Sequence, residues 1–114
     1  MKTFKSVNDK MISGLPRPAL ESELVAIDTE FYGQQEGKLH RPHGTFACIT
    51  VSYSDDETYL VDDVHDVPEV LDRIAAGRWV MHNALYDLRQ LRQLVTIGRR
   101  PIWDTMLVEK GLFP

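Results

Sequence analysis

LVAIDTEF, Leu24 to Phe31, is a short apolar run interrupted by two acids. Eight residues of this kind predict a strand buried on both faces. Side chains alternate along a strand, so Asp28 and Glu30 leave one face together while Thr29 points the other way. Two neighbouring carboxylates in an apolar strand raise each other's pKa and lose solvation, so a positive partner is expected to offset them. A divalent cation does so most directly, and hard oxygen donors point to Mg²⁺ or Mn²⁺ rather than zinc. Taken alone, the pair reads equally well as two acids at a solvent-exposed strand end.

Residues 32 to 44, YGQQEGKLHRPHG, carry the chain out of the sheet in a loop. TFACITVSY (45 to 53) and ETYLVD (57 to 62) are rich in β-branched and aromatic residues and predict two strands, joined as a hairpin through Ser54, Asp55 and Asp56. VPEVLDRIAAG (67 to 77) has apolar residues at helical spacing, with Pro68 tolerated in the first turn and Gly77 suited to end it. RWVMHN gives a brief strand. ALYDLRQLRQLV (84 to 95) then sets Leu85, Leu88, Leu91, Leu94 and Val95 on one stripe of a helix. Pro101 and Ile102 close a basic loop, and Asp104 is placed to cap a last helix, MLVEKGLF. Residues 1 to 23 read as a polar lead-in and 24 to 114 as the folded unit. The order β, β, β, α, β, α, α predicts a mixed α/β sheet whose first three strands are antiparallel, with a crossover helix leading to a strand parallel to the first.

The composition agrees with one folded domain: 114 residues, 43% hydrophobic and 26% charged. Thirteen Lys and Arg against 17 Asp and Glu give a net charge of −4, unlike a chain that binds nucleic acid by bulk charge. A single cysteine and no CxxC pair exclude a disulfide framework and a cysteine zinc site, so a reducing, cytoplasmic setting is expected, with Cys48 in the core. No apolar run approaches the roughly 18 residues that span a bilayer. No GxGxxG follows the first strand and no P-loop occurs, so dinucleotide and NTP cradles have no support.

HNALYD, His82 to Asp87, runs from a strand end into a helix. Asp87 falls in the first turn beside the apolar stripe, where it can project toward the sheet edge at which Asp28 emerges. An acid there also complements the helix dipole with no further role, and Asn83 is an adequate N-cap.

VAIDTEF, HNALYDL and IWDTML together resemble the successive motifs of the DEDD group of 3'-5' exonucleases, which share the RNase H-like fold. The nearest likeness is the proofreading domain of family A DNA polymerases, of the DNA polymerase I kind, and its relative RNase D. Asp28-Thr29-Glu30 matches the first motif, DxE, and Asn83 through Asp87 the second, NxxxD. The resemblance covers residues 24 to 113. It implies two Mg²⁺ or Mn²⁺ ions about 3.5–4 Å apart, with Asp28 bridging both, Glu30 holding the ion that carries the nucleophile, and Asp87 serving the other. It also implies in-line hydrolysis of the terminal phosphodiester at a single-stranded or frayed 3' end of DNA, or RNA trimming on the RNase D alternative.

The family's third motif, YxxxD or HxxxD, does not occur before Pro114; Tyr59 and Asp63 fit the spacing but precede the second motif. The resemblance therefore implies a chain inactive alone, completed by a C-terminal segment or a second polypeptide that could carry a polymerase domain. From another class comes a non-catalytic interaction module of a split polymerase. Candidate substrate contacts are Phe31, Asn83, Tyr86, Arg89 and Arg92, with Tyr32 and His82 as further stacking candidates. Arg89, Arg92, Arg99 and Arg100 form the one basic concentration, which could meet phosphates or simply be a solvated face. His40 and His43 lack partners for zinc. Trp79 and Trp103 are expected in the core.

Overall fold

The computed structural model describes residues 11–32 and 45–109. One six-stranded sheet is formed by β1 (Met11–Ser13), β2 (Leu24–Tyr32), β3 (Thr45–Ser54), β4 (Glu57–Val61), β5 (Arg78–Met81) and β6 (Ile102–Asp104), in the order β1-β4-β3-β2-β5-β6. The helices are α1 (Val67–Arg73), entered through a 3-10 turn at Val64–Asp66, α2 (Ala84–Leu91) and α3 (Thr105–Glu109). β2, β3 and β4 are antiparallel neighbours, and β5 lies parallel to β2 after the α1 crossover, as the sequence pattern predicts. The expected loop at 32 to 44, with His40 and His43, lies outside the described residues apart from Tyr32, which ends β2.

β2 differs from its expected double burial. Val25, Ile27 and Thr29 are buried, whereas Leu24, Ala26, Asp28 and Glu30 are exposed, so the strand is half-buried with a clean alternation. The buried side meets Ile49 and Val51 of β3, Val67 and Val70 of α1, Trp79 and Met81 of β5, and Ala84 and Leu91 of α2 in one core. Each such aliphatic side chain removed from water contributes about 1.5–3 kcal/mol. The helices dock against this side because their apolar positions recur at three- and four-residue intervals.

α1 begins where Pro68 pre-sets the first turn and is prepared by Asp63, whose carboxylate accepts from the His65 N–H at 2.9 Å. Gly77 closes the following turn against β2: a Cβ there would run into Val25 Cγ2 and lie 2.9 Å from the Glu23 carbonyl oxygen. Only glycine lets the crossover approach the strand so closely.

Two strands depart from the sequence reading. Met11–Ser13, within the lead-in, pairs parallel to the edge of β4, and Ile102–Asp104, read as a loop and cap, pairs parallel to β5. α2 also ends at Leu91 rather than Val95, and its buried face is Ala84, Asp87, Gln90 and Leu91. Leu85 is consequently 65% exposed. Trp79 is in the core and donates its indole N–H to the Ile74 carbonyl at 2.9 Å, but Trp103, on the edge strand, is 48% exposed. Cys48 is buried as expected.

Candidate acidic site at the end of the central strands

β2 outruns its parallel neighbour. The last paired residues are Ala26 and Val80, so Asp28 and Glu30 lie on the part of β2 beyond the β5 pairing, where the chain turns through His82 and Asn83 into α2. Open parallel sheets place their ligand sites at this carboxyl end. A register shift between Glu30 and Phe31 marks a bulge, which bends the strand and re-aims the side chains that follow.

Asp28 and Glu30 share the exposed face and enter no ion pair among the described residues. Their charge is felt by their neighbours. Cys48 stands opposite Glu30 in the ladder, and its thiol pKa is pushed up by burial first and then by Glu30 and Asp28. The Tyr86 hydroxyl pKa is raised by burial and then by Asp87 and Glu30, and the residue is half-buried.

Asp87 is 3% exposed. Its Oδ1 accepts from Thr29 Oγ1 at 2.6 Å, so this acid is held by the inward-pointing residue between Asp28 and Glu30. Burial pushes its pKa up to about 6, against the Thr29 hydrogen bond, with Asp28, Glu30 and Asp104 adding to the rise. Asp28 and Glu30 therefore act on Asp87, but the convergence of the three acids is partial. Asp28 and Glu30 leave the outer face of β2, Asp87 is tied to the inner one, and no three His, Cys, Asp or Glu among the described residues are grouped to hold one ion. In donor chemistry the set suits a hard divalent ion; in placement it is not a closed cage.

The candidate substrate contacts divide in the same way. Tyr86 is half-buried on α2, directly before Asp87, while Phe31 is engaged edge-to-face with Phe46, ring centroids 5.6 Å apart. Arg89 and Arg92 are exposed, and their offsets of two and five residues from Asp87 turn them off its face of α2. Arg92 instead borders a groove with Leu88, Ile97 and Arg100. Arg100 is a structural residue: its guanidinium donates to the Ala75 and Gly77 carbonyls and lies 3.9 Å over the Trp79 ring.

Asn83 adopts the left-handed conformation, φ 64°, which asparagine tolerates better than most residues. It does not cap α2 with its side chain. That role belongs to Asp104, whose Oδ1 accepts from the Asn83 N–H at 2.9 Å and whose Oδ2 accepts from the Ala84 N–H at 2.8 Å. The same carboxylate caps α3 as expected, accepting from the Met106 N–H at 3.0 Å. His82 Nδ1 and Thr105 Oγ1, 2.9 Å apart, form a second link between the two strand-to-helix junctions. The double role of Asp104 carries only a faint signal in the sequence, an acid directly following an aromatic strand residue.

The fold is RNase H-like. The chain superposes on NrnC of Brucella melitensis with bound Mg²⁺ at a TM-score of 0.62 and 15% identity, over 89% of this chain and 52% of that one. NrnC bound to pGG gives 0.59 at 19% identity, over 88% and 52%. RNase D of Trypanosoma brucei in complex with RNA U12 gives 0.56 at 12% identity, over 74% and 30%. The EXO domain of Aedes aegypti Nibbler gives 0.56 at 12% identity, over 79% and 46%. These RNase H-like neighbours are exonucleases of the DEDD kind, and the chain spans about half the length of NrnC. No family model and no curated protein matches the sequence. Among the described residues no helix is long and apolar enough to cross a membrane.

Proposed function

We propose that this chain is part of a DEDD-type 3'-5' exonuclease that trims RNA, with Asp28, Glu30 and Asp87 as its acidic centre. One observation carries the reading: on an RNase H-like sheet, two acids with no ion-pair partner among the described residues project from the far end of β2, and a third acid, on α2, is hydrogen-bonded to the threonine between them. The preference for RNA over DNA proofreading is supported by the neighbours, one solved with RNA U12 and another with pGG, none of those described being a polymerase. Because the chain spans about half of NrnC, a further segment or a second polypeptide would supply the remaining acid.

Asp28 and Glu30 would hold Mg²⁺ or Mn²⁺, which when bound activates water and offsets charge on the phosphodiester. The chain's own contribution is placement. β2 fixes the spacing of the two acids, and Thr29 with burial holds Asp87 at the inner edge of the site. Tyr86, half-buried on α2 directly before Asp87, offers a ring on which a terminal base could stack.

The test uses 5'-labelled single-stranded RNA and DNA of one sequence, incubated with the chain, alone and with its completing segment, in Mg²⁺, Mn²⁺ or EDTA. A ladder shortening from the 3' end, faster on RNA, lost in EDTA and lost in Asp28→Ala, is expected. Faster loss from DNA would restore the proofreading alternative, and shortening that survives EDTA would end the metal assignment. The absence of any shortening with the completing segment present would leave the non-catalytic module as the better reading.

A further inference from the structure

We infer that Asp104 is a positioning residue for the acidic centre, setting where α2 begins and hence where Asp87 stands. This rests on the exonuclease reading and deepens it, because Asp104 itself belongs to neither acidic motif. It is 8% exposed and ends β6, directly opposite Met81, the last residue of β5. Two adjacent parallel strands thus stop at the same level, and each feeds a helix. The carboxylate of Asp104 bridges both exits, accepting from Asn83 and Ala84 at the start of α2 and from Met106 in α3.

Those N–H groups are the ones a helix start leaves without intrahelical partners. At α2 they cannot be satisfied locally, since Asn83 is left-handed and its side chain makes no capping bond. Burial works against the charge on Asp104, but the N–H groups of Ala84, Asn83, Met106 and Leu107 outweigh it and hold the carboxyl below its ordinary pKa. An ionised acceptor makes shorter and stronger hydrogen bonds than a neutral one, so the junction is tied by charge-assisted bonds. Asp87 follows Ala84 by three residues, within one helical turn, so a shift at the α2 start passes directly to the Asp87 carboxylate and its contact with Thr29.

Asp104→Ser separates this role from ordinary capping. Serine still caps α3 by accepting from Met106, but its shorter side chain does not reach Asn83 and Ala84. The full chain, wild type and variant, is titrated with Mg²⁺ while the amide resonances of Asp28, Glu30 and Asp87 are followed by NMR, and hydrogen exchange is measured at Ala84. The variant is expected to exchange at Ala84 at least tenfold faster and to need at least fivefold more Mg²⁺ for half-saturation. An unchanged half-saturation point, with faster exchange at Ala84, overturns the inference and leaves the exonuclease reading standing. If wild type shows no response to Mg²⁺ at the three acids even with the completing segment present, the exonuclease reading fails and takes the inference with it. Should the variant not fold, the wild-type titration decides. The Asn83, Ala84 and Met106 amides are expected to shift with the same midpoint as Asp87, and their staying fixed while Asp87 responds overturns the inference.

Discussion

Glu23 and Glu57 face the Arg17 guanidinium, which donates to both carboxylates at 2.8–3.1 Å and lies 3.9 Å over the Tyr53 ring. Asp28 and Glu30, on the same sheet, have no cation among the described residues, and Asp87 is buried with a threonine hydroxyl as its partner. The consequences are opposite. Hydrogen bonds from Arg17 hold Glu23 down at about 2, while burial lifts Asp87 to about 6. The first group ties the lead-in to the β3–β4 hairpin and has no need of anything further. The second is a standing cost to the fold, of the kind that perturbed groups at functional sites impose.

The largest expected effect breaks the second region without harming the fold. Asp28→Asn should lower metal-dependent 3' trimming by the completed enzyme at least ~100-fold, as losing one key electrostatic contact does. Its melting temperature should hold or rise, because a like-charge neighbour has been removed; a marked fall would make Asp28 a structural acid like Glu57.

Next in size is Asp87→Asn, which keeps an acceptor for Thr29 but removes the buried charge. A carboxyl raised from 3.8 to about 6 binds its proton more readily folded than unfolded, so ionisation destabilises the fold above about pH 6 and not below pH 3.8. The variant should therefore be more stable by about 1–3 kcal/mol at pH 7.5, with the gain vanishing near pH 4, as read by urea unfolding at both values. A loss of stability at pH 7.5 would contradict the cost assigned to Asp87.

Arg17→Met should act in the reverse sense, lowering the melting temperature by a few degrees at neutral pH. Glu23 is depressed from 4.5 to about 2, so its share of the stabilisation is present above pH 4.5 and is lost as pH falls toward 2. The difference between Arg17→Met and wild type should shrink over that window, and a constant difference would show that Arg17 works through packing on Tyr53 alone. The smallest effect is expected at the exposed Arg73–Glu69 pair, 2.9 Å apart, where Glu69→Gln should cost no more than about 0.5 kcal/mol.

The comparison also shows what the sequence discloses. β2, the hairpin and the α1 crossover were legible because their apolar patterns are long enough to carry a period. β1 and β6 were not, since three residues cannot show alternation and both are strands only through pairing with β4 and β5. The stripe places Leu88, Leu91 and Val95 correctly but misplaces Leu85 and Leu94, because the buried face of α2 also takes in Asp87, whose partner is the Thr29 hydroxyl, and Gln90. Asp28 and Glu30 stood out by their spacing. The bond between Asp87 and Thr29, and the reach of Asp104 to a helix 20 residues earlier, depend on which strands end together, and only the folded sheet reveals that.

Asp28 and Glu30 have no protein cation among the described residues, and on the proposed reading a divalent ion takes that place. Calorimetric titration of Mn²⁺ into the chain, and into an Asp28→Asn/Glu30→Gln variant, tests it most directly. Saturable binding to the wild type and none to the double variant is expected. Equal binding by the two, or no binding by a folded wild type, would contradict it.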